Sequence, residues 1–97
     1  MSTPADPAAT TGAHTEQAAA AIAADRSQID EVDRRIIALV QDRMALSERI
    51  QQARITSGGR RVNLARESEV IARYSAPLGR PGTALAMTLL ELCRGRV

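Results

Sequence analysis

The stretch from Arg26 to Arg54 constrains this chain more than any other. Arg26, Ile29, Val32, Ile36, Leu39, Arg43, Leu46 and Ile50 follow one another in steps of three and four, ending at Ala53 with Arg54 beside it. Such steps put the side chains on one stripe of a long helix. Most of the stripe is aliphatic, as a buried seam is. Three arginines nevertheless lie on it or at its edge. A guanidinium stays charged near neutral pH, and burying one without a partner is very costly. Either these arginines reach out of the seam, or something anionic meets them within it.

The rest of the composition points to helices packed on helices. Ninety-seven residues suit one small domain. There is no Trp, no Phe and a single Tyr, so the core must come from Leu, Ile, Val, Met and Ala. A sheet would be richer in aromatic and β-branched residues. The expected fold is all-α, with one long helix and two short ones per chain. A formal charge of +2, with acidic residues interspersed among the basic ones, argues against a nucleic-acid binder. Every basic residue except His14 is arginine, the better planar, bidentate partner for carboxylates.

Single residues exclude further chemistry. One cysteine, Cys93, rules out an internal disulfide and any multi-cysteine metal site. Its leucine neighbours mark it as a small buried hydrophobe. His14 has no ligand-like company, so neither a metal nor another cofactor is expected. No apolar run approaches membrane-spanning length, and Met1 to Thr15 lacks the features of a secretory signal. A cytoplasmic protein without membrane attachment is expected.

Taken in order, residues 1–14 read as a disordered tail and 15–97 as one helical domain. The Ala-rich run from Ala18 to Ala24 favours helix by propensity, with Ile22 as its one anchor, and either extends the main helix or frays. Asp25 with Gln28 resembles a capping box, which places the firmly packed start near Arg26. The helix then runs to about Ile55, and Ser57-Gly58-Gly59 ends it with left-handed backbone angles. Arg60 and Arg61 follow in the loop. Asn63 caps a second helix carrying Leu64, Val70, Ile71 and Tyr74, with Glu67 one turn before Ile71 on the packed side. Arg66 lies beside it. Pro77, Gly79 and Pro81 punctuate a loop, and Pro81 suits the first turn of a third helix. That helix carries Leu85, Leu89 and Leu92 on one line and stops at Gly95.

A first helix of roughly 30 residues spans about 45 Å. A globule of ~100 residues has a radius of gyration of only about 13 Å. Two shorter helices leave part of such a seam uncovered, so a homodimer is expected in which two long helices pair. Arg26 and Arg43 are 17 positions apart in the sequence, about 25 Å at helical rise. One small ligand cannot bridge that distance within one chain.

The residues out of place on packed faces are Arg26, Arg43, Arg54, Arg66 and Glu67. Pairing each arginine with a nearby carboxylate, such as Asp30, Asp33 or Glu48, would explain any one of them. Taken together they favour a site for a ligand with more than one carboxylate. There is no Ser/His/Asp arrangement, activated cysteine or cofactor loop to supply covalent or metal chemistry. What such residues supply is orientation of a polyanion and fixed positive charge.

The run Ile-Asp-Glu-Val-Asp-Arg-Arg-Ile-Ile-Ala-Leu-Val-Gln-Asp-Arg (29–43), followed by Ala53-Arg54 and Arg66-Glu67, resembles the all-helical chorismate mutases. Ser57-Gly58-Gly59, Tyr74 and the ending Cys93-Arg94-Gly95-Arg96 are similar to the small actinobacterial subclass. The resemblance implies an intertwined homodimeric bundle with two active sites, each using both chains and no cofactor. It assigns Arg26 to a substrate carboxylate in the partner's site and Arg43 to the other carboxylate in its own. It places Arg54 at the ether oxygen of chorismate as the bond breaks, and Glu67 as acceptor for the substrate hydroxyl. Arg66 would support the carboxylate, and the backbone at Asn63 would line the pocket. Arg54, Arg43 and Glu67 are thus the expected catalytic residues.

Two departures stand out. Many family members carry an acidic residue where Asn63 stands, and a glutamine from a longer last helix that has no counterpart here. By resemblance to the actinobacterial members, the isolated enzyme is weak and is stimulated by complex formation with DAHP synthase. Isochorismate–pyruvate lyase, which shares the fold and most site arginines, is the enzymatic alternative. A non-catalytic helical dimerisation or regulatory module is the other, although it leaves the arginines and Glu67 unexplained.

Overall fold

A computed structural model describes residues 11–59 and 63–94. They form three helices: α1 (Glu16–Thr56), α2 (Leu64–Leu78) and α3 (Arg80–Arg94), with no strand among the described residues. Of the expected tail over 1–14, residues 1–10 lie outside the described residues, as do Arg60 and Arg61 of the first loop and the stop at Gly95, while Ala13 is buried. The all-α architecture of one long and two short helices is as anticipated. Contacts divide the chain into two compact units, Met1–Ala38 and Leu39–Val97, and α1 contributes to both.

In the first unit, α1 begins at Glu16, nine residues before Asp25, so the Ala-rich run extends the main helix rather than fraying. The reason is a cap that the sequence pattern hid. The Thr15 hydroxyl accepts the Ala18 N–H at 3.0 Å, and the Thr15 carbonyl accepts the Ala19 N–H at 2.9 Å. From there the alanines propagate helix with little entropic cost, so Asp25 lies mid-helix rather than at a cap. Ala13 and Ala19 are buried, whereas Ile29, Val32, Ile36 and Ile37 are exposed.

In the second unit, α1 ends as the paired glycines require. Gly58 has φ of 80°, the Gly59 N–H donates to the Arg54 carbonyl at 2.6 Å, and the Gly58 N–H donates to Ile55 at 3.1 Å. This is a Schellman ending. α2 opens at Asn63, whose side-chain oxygen accepts the Arg66 N–H at 3.1 Å. α2 runs two residues further than the sequence suggests, because Pro77 lies inside its last turn rather than in a loop. Near a helix end the missing proline N–H removes one bond without breaking the ladder that follows. The connection to α3 is the single residue Gly79, with φ of 72°.

α2 and α3 pack closely because Gly82 lets them. A Cβ at Gly82 would sit 2.2 Å from the Tyr74 carbonyl oxygen and 2.7 Å from Leu78 Cβ. The buried line of α3 is therefore Gly82, Ala86, Leu89 and Cys93. The anticipated line of Leu85, Leu89 and Leu92 is off register. Leu85 and Leu92 are exposed, because the small residues, not the largest ones, take the face toward α2. Val70 of α2 completes this core, and the burial expected for Cys93 holds.

Candidate active site

The second unit encloses a cavity of about 250 Å³. Its walls come from the end of α1 (Arg43, Leu46, Ser47, Ile50, Gln51, Arg54), from Asn63 and the start of α2 (Arg66, Glu67, Val70), and from the end of α3 (Leu90, Cys93, Arg94). Five of the six anticipated site residues, Arg43, Arg54, Asn63, Arg66 and Glu67, thus meet around one space. The sixth, Arg26, belongs to the first unit and does not line it.

The local folding explains each placement. Arg43 and Arg54 are eleven residues apart, three helical turns, and so point from one side of α1. Arg54 stands in the last turn, where its carbonyl accepts both the Gly59 N–H and, at 3.0 Å, the Ser57 hydroxyl. The glycine turn thereby fixes the backbone that carries this guanidinium. Asn63, as N-cap, sets the first turn of α2. Arg66 and Glu67 follow in that turn, where a carboxylate also favours the positive end of the helix.

Four guanidiniums and one carboxylate line the cavity, a clear excess of positive charge. The carboxylate is partly withdrawn from water: Glu67 is 20% exposed. Arg66 lies 3.4 Å from Glu69 on the surface side of α2. Arg43 is half-buried and has no ion-pair partner among the described residues. Leu46, Ile50, Val70 and Leu90 add an apolar part to the wall. The arrangement suits a compact anionic ligand.

Arg94 also lines the cavity, a charged residue beyond the six anticipated ones. Its Nη2 donates to Glu67 Oε1. The signal available was its position directly after Cys93, the last member of the buried α3 line, where the anticipated line ran from Leu89 to Leu92 instead. Ser47 was missed. Its hydroxyl donates to the Cys93 carbonyl at 2.9 Å and fastens the end of α3 to α1.

Helices among the described residues, with arginines and one carboxylate around a small cavity, have the charge to receive a small anion. The match of residues 25–86 to the chorismate mutase type II family makes that specific: the chain belongs to this family, whose members are isomerases acting on chorismate. It is 50% identical over 72 residues to an intracellular chorismate mutase from Mycolicibacterium smegmatis, a stretch that covers 74% of this chain and 69% of that protein. An intracellular chorismate mutase from Mycobacterium bovis is 49% identical over 72 residues, covering 74% of this chain and 68% of the relative. Among solved structures, the fold is similar to a chain of the non-covalent complex of DAHP synthase and chorismate mutase from Corynebacterium glutamicum, which holds a transition state analog. The TM-score is 0.78 at 34% identity, over 84% of this chain and 98% of that one.

Proposed function

We propose that residues 15–97 form the catalytic unit of a homodimeric chorismate mutase, which converts chorismate to prephenate for phenylalanine and tyrosine synthesis. The observation that carries the residue assignments is the meeting of Arg43, Arg54, Arg66 and Glu67 around one cavity, on a chain of this family. The rearrangement is intramolecular. It needs no nucleophile, and the protein has two tasks: to hold the compact reactive conformer, and to favour negative charge growing on the ether oxygen. Arg43 binds one substrate carboxylate. Arg54 faces the ether oxygen and stabilises the charge as the bond breaks. Glu67 accepts from the substrate hydroxyl, Arg66 supports the carboxylate, and Asn63 lines the pocket.

Arg26 serves the second carboxylate from the partner chain. Support comes from the exposed apolar residues of α1. Ile29, Ile36 and Leu39 are 57%, 51% and 64% exposed in the single chain. Such a surface calls for a matching surface, and a second copy of the same helix supplies one. Two intertwined chains then bring Arg26 of one to Arg43 and Arg54 of the other.

The isolated dimer works slowly and is accelerated by DAHP synthase. The similarity to a chorismate mutase chain solved in complex with that enzyme supports the partnership. A cytoplasmic location accords with the relatives named intracellular, and no described helix is long and apolar enough to cross a membrane. The deciding experiment follows chorismate loss and prephenate formation with and without DAHP synthase, with isochorismate as a parallel substrate. Prephenate from chorismate, with kcat/KM raised by the partner, is expected. Salicylate from isochorismate, or no turnover of either substrate, defeats the assignment.

A further inference from the structure

The contact between Arg94 and Glu67 joins the end of α3 to the one carboxylate of the cavity, across 27 positions of sequence. We propose that Arg94 is a positioning residue, which holds the Glu67 carboxylate away from the anion-binding arginines and turned toward the substrate hydroxyl. The inference rests on the function proposed above, which gives Glu67 that hydroxyl to receive.

Glutamate has several rotatable bonds, and this one stands among Arg43, Arg54 and Arg66. Left alone, its carboxylate would be drawn to one of those guanidiniums. It would then neutralise a cation that the substrate needs, and the substrate would have to displace it. Arg94 removes the conflict. Its Nη2 donates to Oε1 of Glu67. A carboxylate offers about four lone-pair sites on two oxygens, so acceptor capacity remains for a hydroxyl.

Arg94 is itself well placed to be the fixed point. The residue before it, Cys93, is buried, and the Cys93 carbonyl is tied to the Ser47 hydroxyl at 2.9 Å. The clamp therefore draws on all three helices: Ser47 of α1 holds the end of α3, and α3 delivers Arg94 to Glu67 of α2. With 41% of its side chain exposed, Arg94 reaches the cavity from its rim.

The test is a double-mutant cycle on steady-state kinetics with chorismate, using wild type, Arg94→Ala, Glu67→Gln and the double variant. Arg94→Ala should raise KM by roughly tenfold while kcat changes by less than about threefold, because the freed carboxylate competes with the substrate for its arginines. In the Glu67→Gln background an uncharged amide has no such pull, so adding Arg94→Ala should change kcat/KM by less than about twofold. Arg94→Lys, which keeps a cation in reach, should recover most of the loss. Circular dichroism melts confirm that each variant is folded, and the lysine variant carries the test if the alanine variant is not. An equal effect of Arg94→Ala in both backgrounds overturns the proposal, since Arg94 would then touch the substrate itself. So does an Arg94→Ala variant with wild-type KM. A wild-type enzyme that makes no prephenate withdraws the function together with this role, a result distinct from an active enzyme indifferent to Arg94.

Discussion

The two units use the same helix differently. Both draw on the three-and-four apolar spacing of α1. Beyond Leu39, α1 shares a unit with α2 and α3, and its residues wall a cavity. Before it, the helix keeps its apolar residues exposed and buries only Ala19. The periodic stripe is therefore not one seam with one purpose. Past Leu39 the stripe walls a cavity and is tied to the end of α3 through Ser47, with Leu46 and Ile50 still half exposed, whereas before it the apolar residues do not line that cavity. Arg43 and Arg54 belong to the first part and Arg26 to the second, the division expected when one ligand is held by two protomers.

The largest effect should come from breaking the surface of the first unit. Ile36→Asp places a carboxylate in the centre of the proposed helix pairing, where desolvating it costs several kcal/mol. Sedimentation at micromolar concentration should report a monomer, with mutase activity down by ~10²-fold or more. A dimer of wild-type activity would mean that this face pairs with nothing.

Next is Arg54→Ala in the second unit. Removing a preorganised group of this kind lowers kcat by ~10²-fold or more. The comparison sharpens on mixing this variant with Arg26→Ala. A mixed dimer has one site with both defects and one with neither. Random exchange of subunits should then restore about a quarter of the wild-type activity, although each parent is impaired. No recovery in the mixture, after verified exchange, would place both arginines in the same chain's site.

How much of this was legible beforehand differed by unit and by residue type. The stripe, the glycine turn and the Asn63 cap were legible because each depends on local backbone chemistry. Arg43, Arg54, Arg66 and Glu67 stood out because charge on an apolar face is an anomaly that demands a reason. Three features were not legible. Thr15 caps α1 without an acidic residue three positions on, so Asp25 with Gln28 looked the better start. In α3 the packing face is chosen by Gly82 and Ala86, whose small side chains carry almost no hydrophobic signal, and the leucines misled. The contact of Arg94 with Glu67 is the third, since it depends on how α3 lies against α2.

A moderate effect is expected at Gly82. Alanine there would gain about 1 kcal/mol of helix propensity. Its Cβ would nevertheless meet backbone at Tyr74, 2.2 Å away, which cannot rotate aside. Overpacking of this kind costs about 1–3 kcal/mol, and contact with a carbonyl oxygen on a neighbouring helix belongs at the upper end. Gly82→Ala should lower stability by about 1–2 kcal/mol net in urea denaturation. An unchanged midpoint would show that α2 and α3 have room to separate.

The smallest effects compare the two helix caps, one in each unit. Asn63→Ala removes the acceptor for the Arg66 N–H at the first turn of α2 and should cost about 1 kcal/mol of global stability. Because Asn63 also lines the cavity, KM for chorismate should rise as well. Thr15→Ala removes the equivalent acceptor for the Ala18 N–H. There Ala19 is the one buried residue of the helix start, and Glu16, Gln17, Ala18 and Ala20 are exposed. Local fraying, with a free energy near zero, should absorb the loss. Amide exchange should quicken over the first turn of α1, while the urea midpoint and KM stay as in wild type. If Thr15→Ala instead lowers the midpoint as far as Asn63→Ala does, residues 16–38 unfold together with the rest, and the first unit is a cooperative part of the fold rather than a surface held out for a partner.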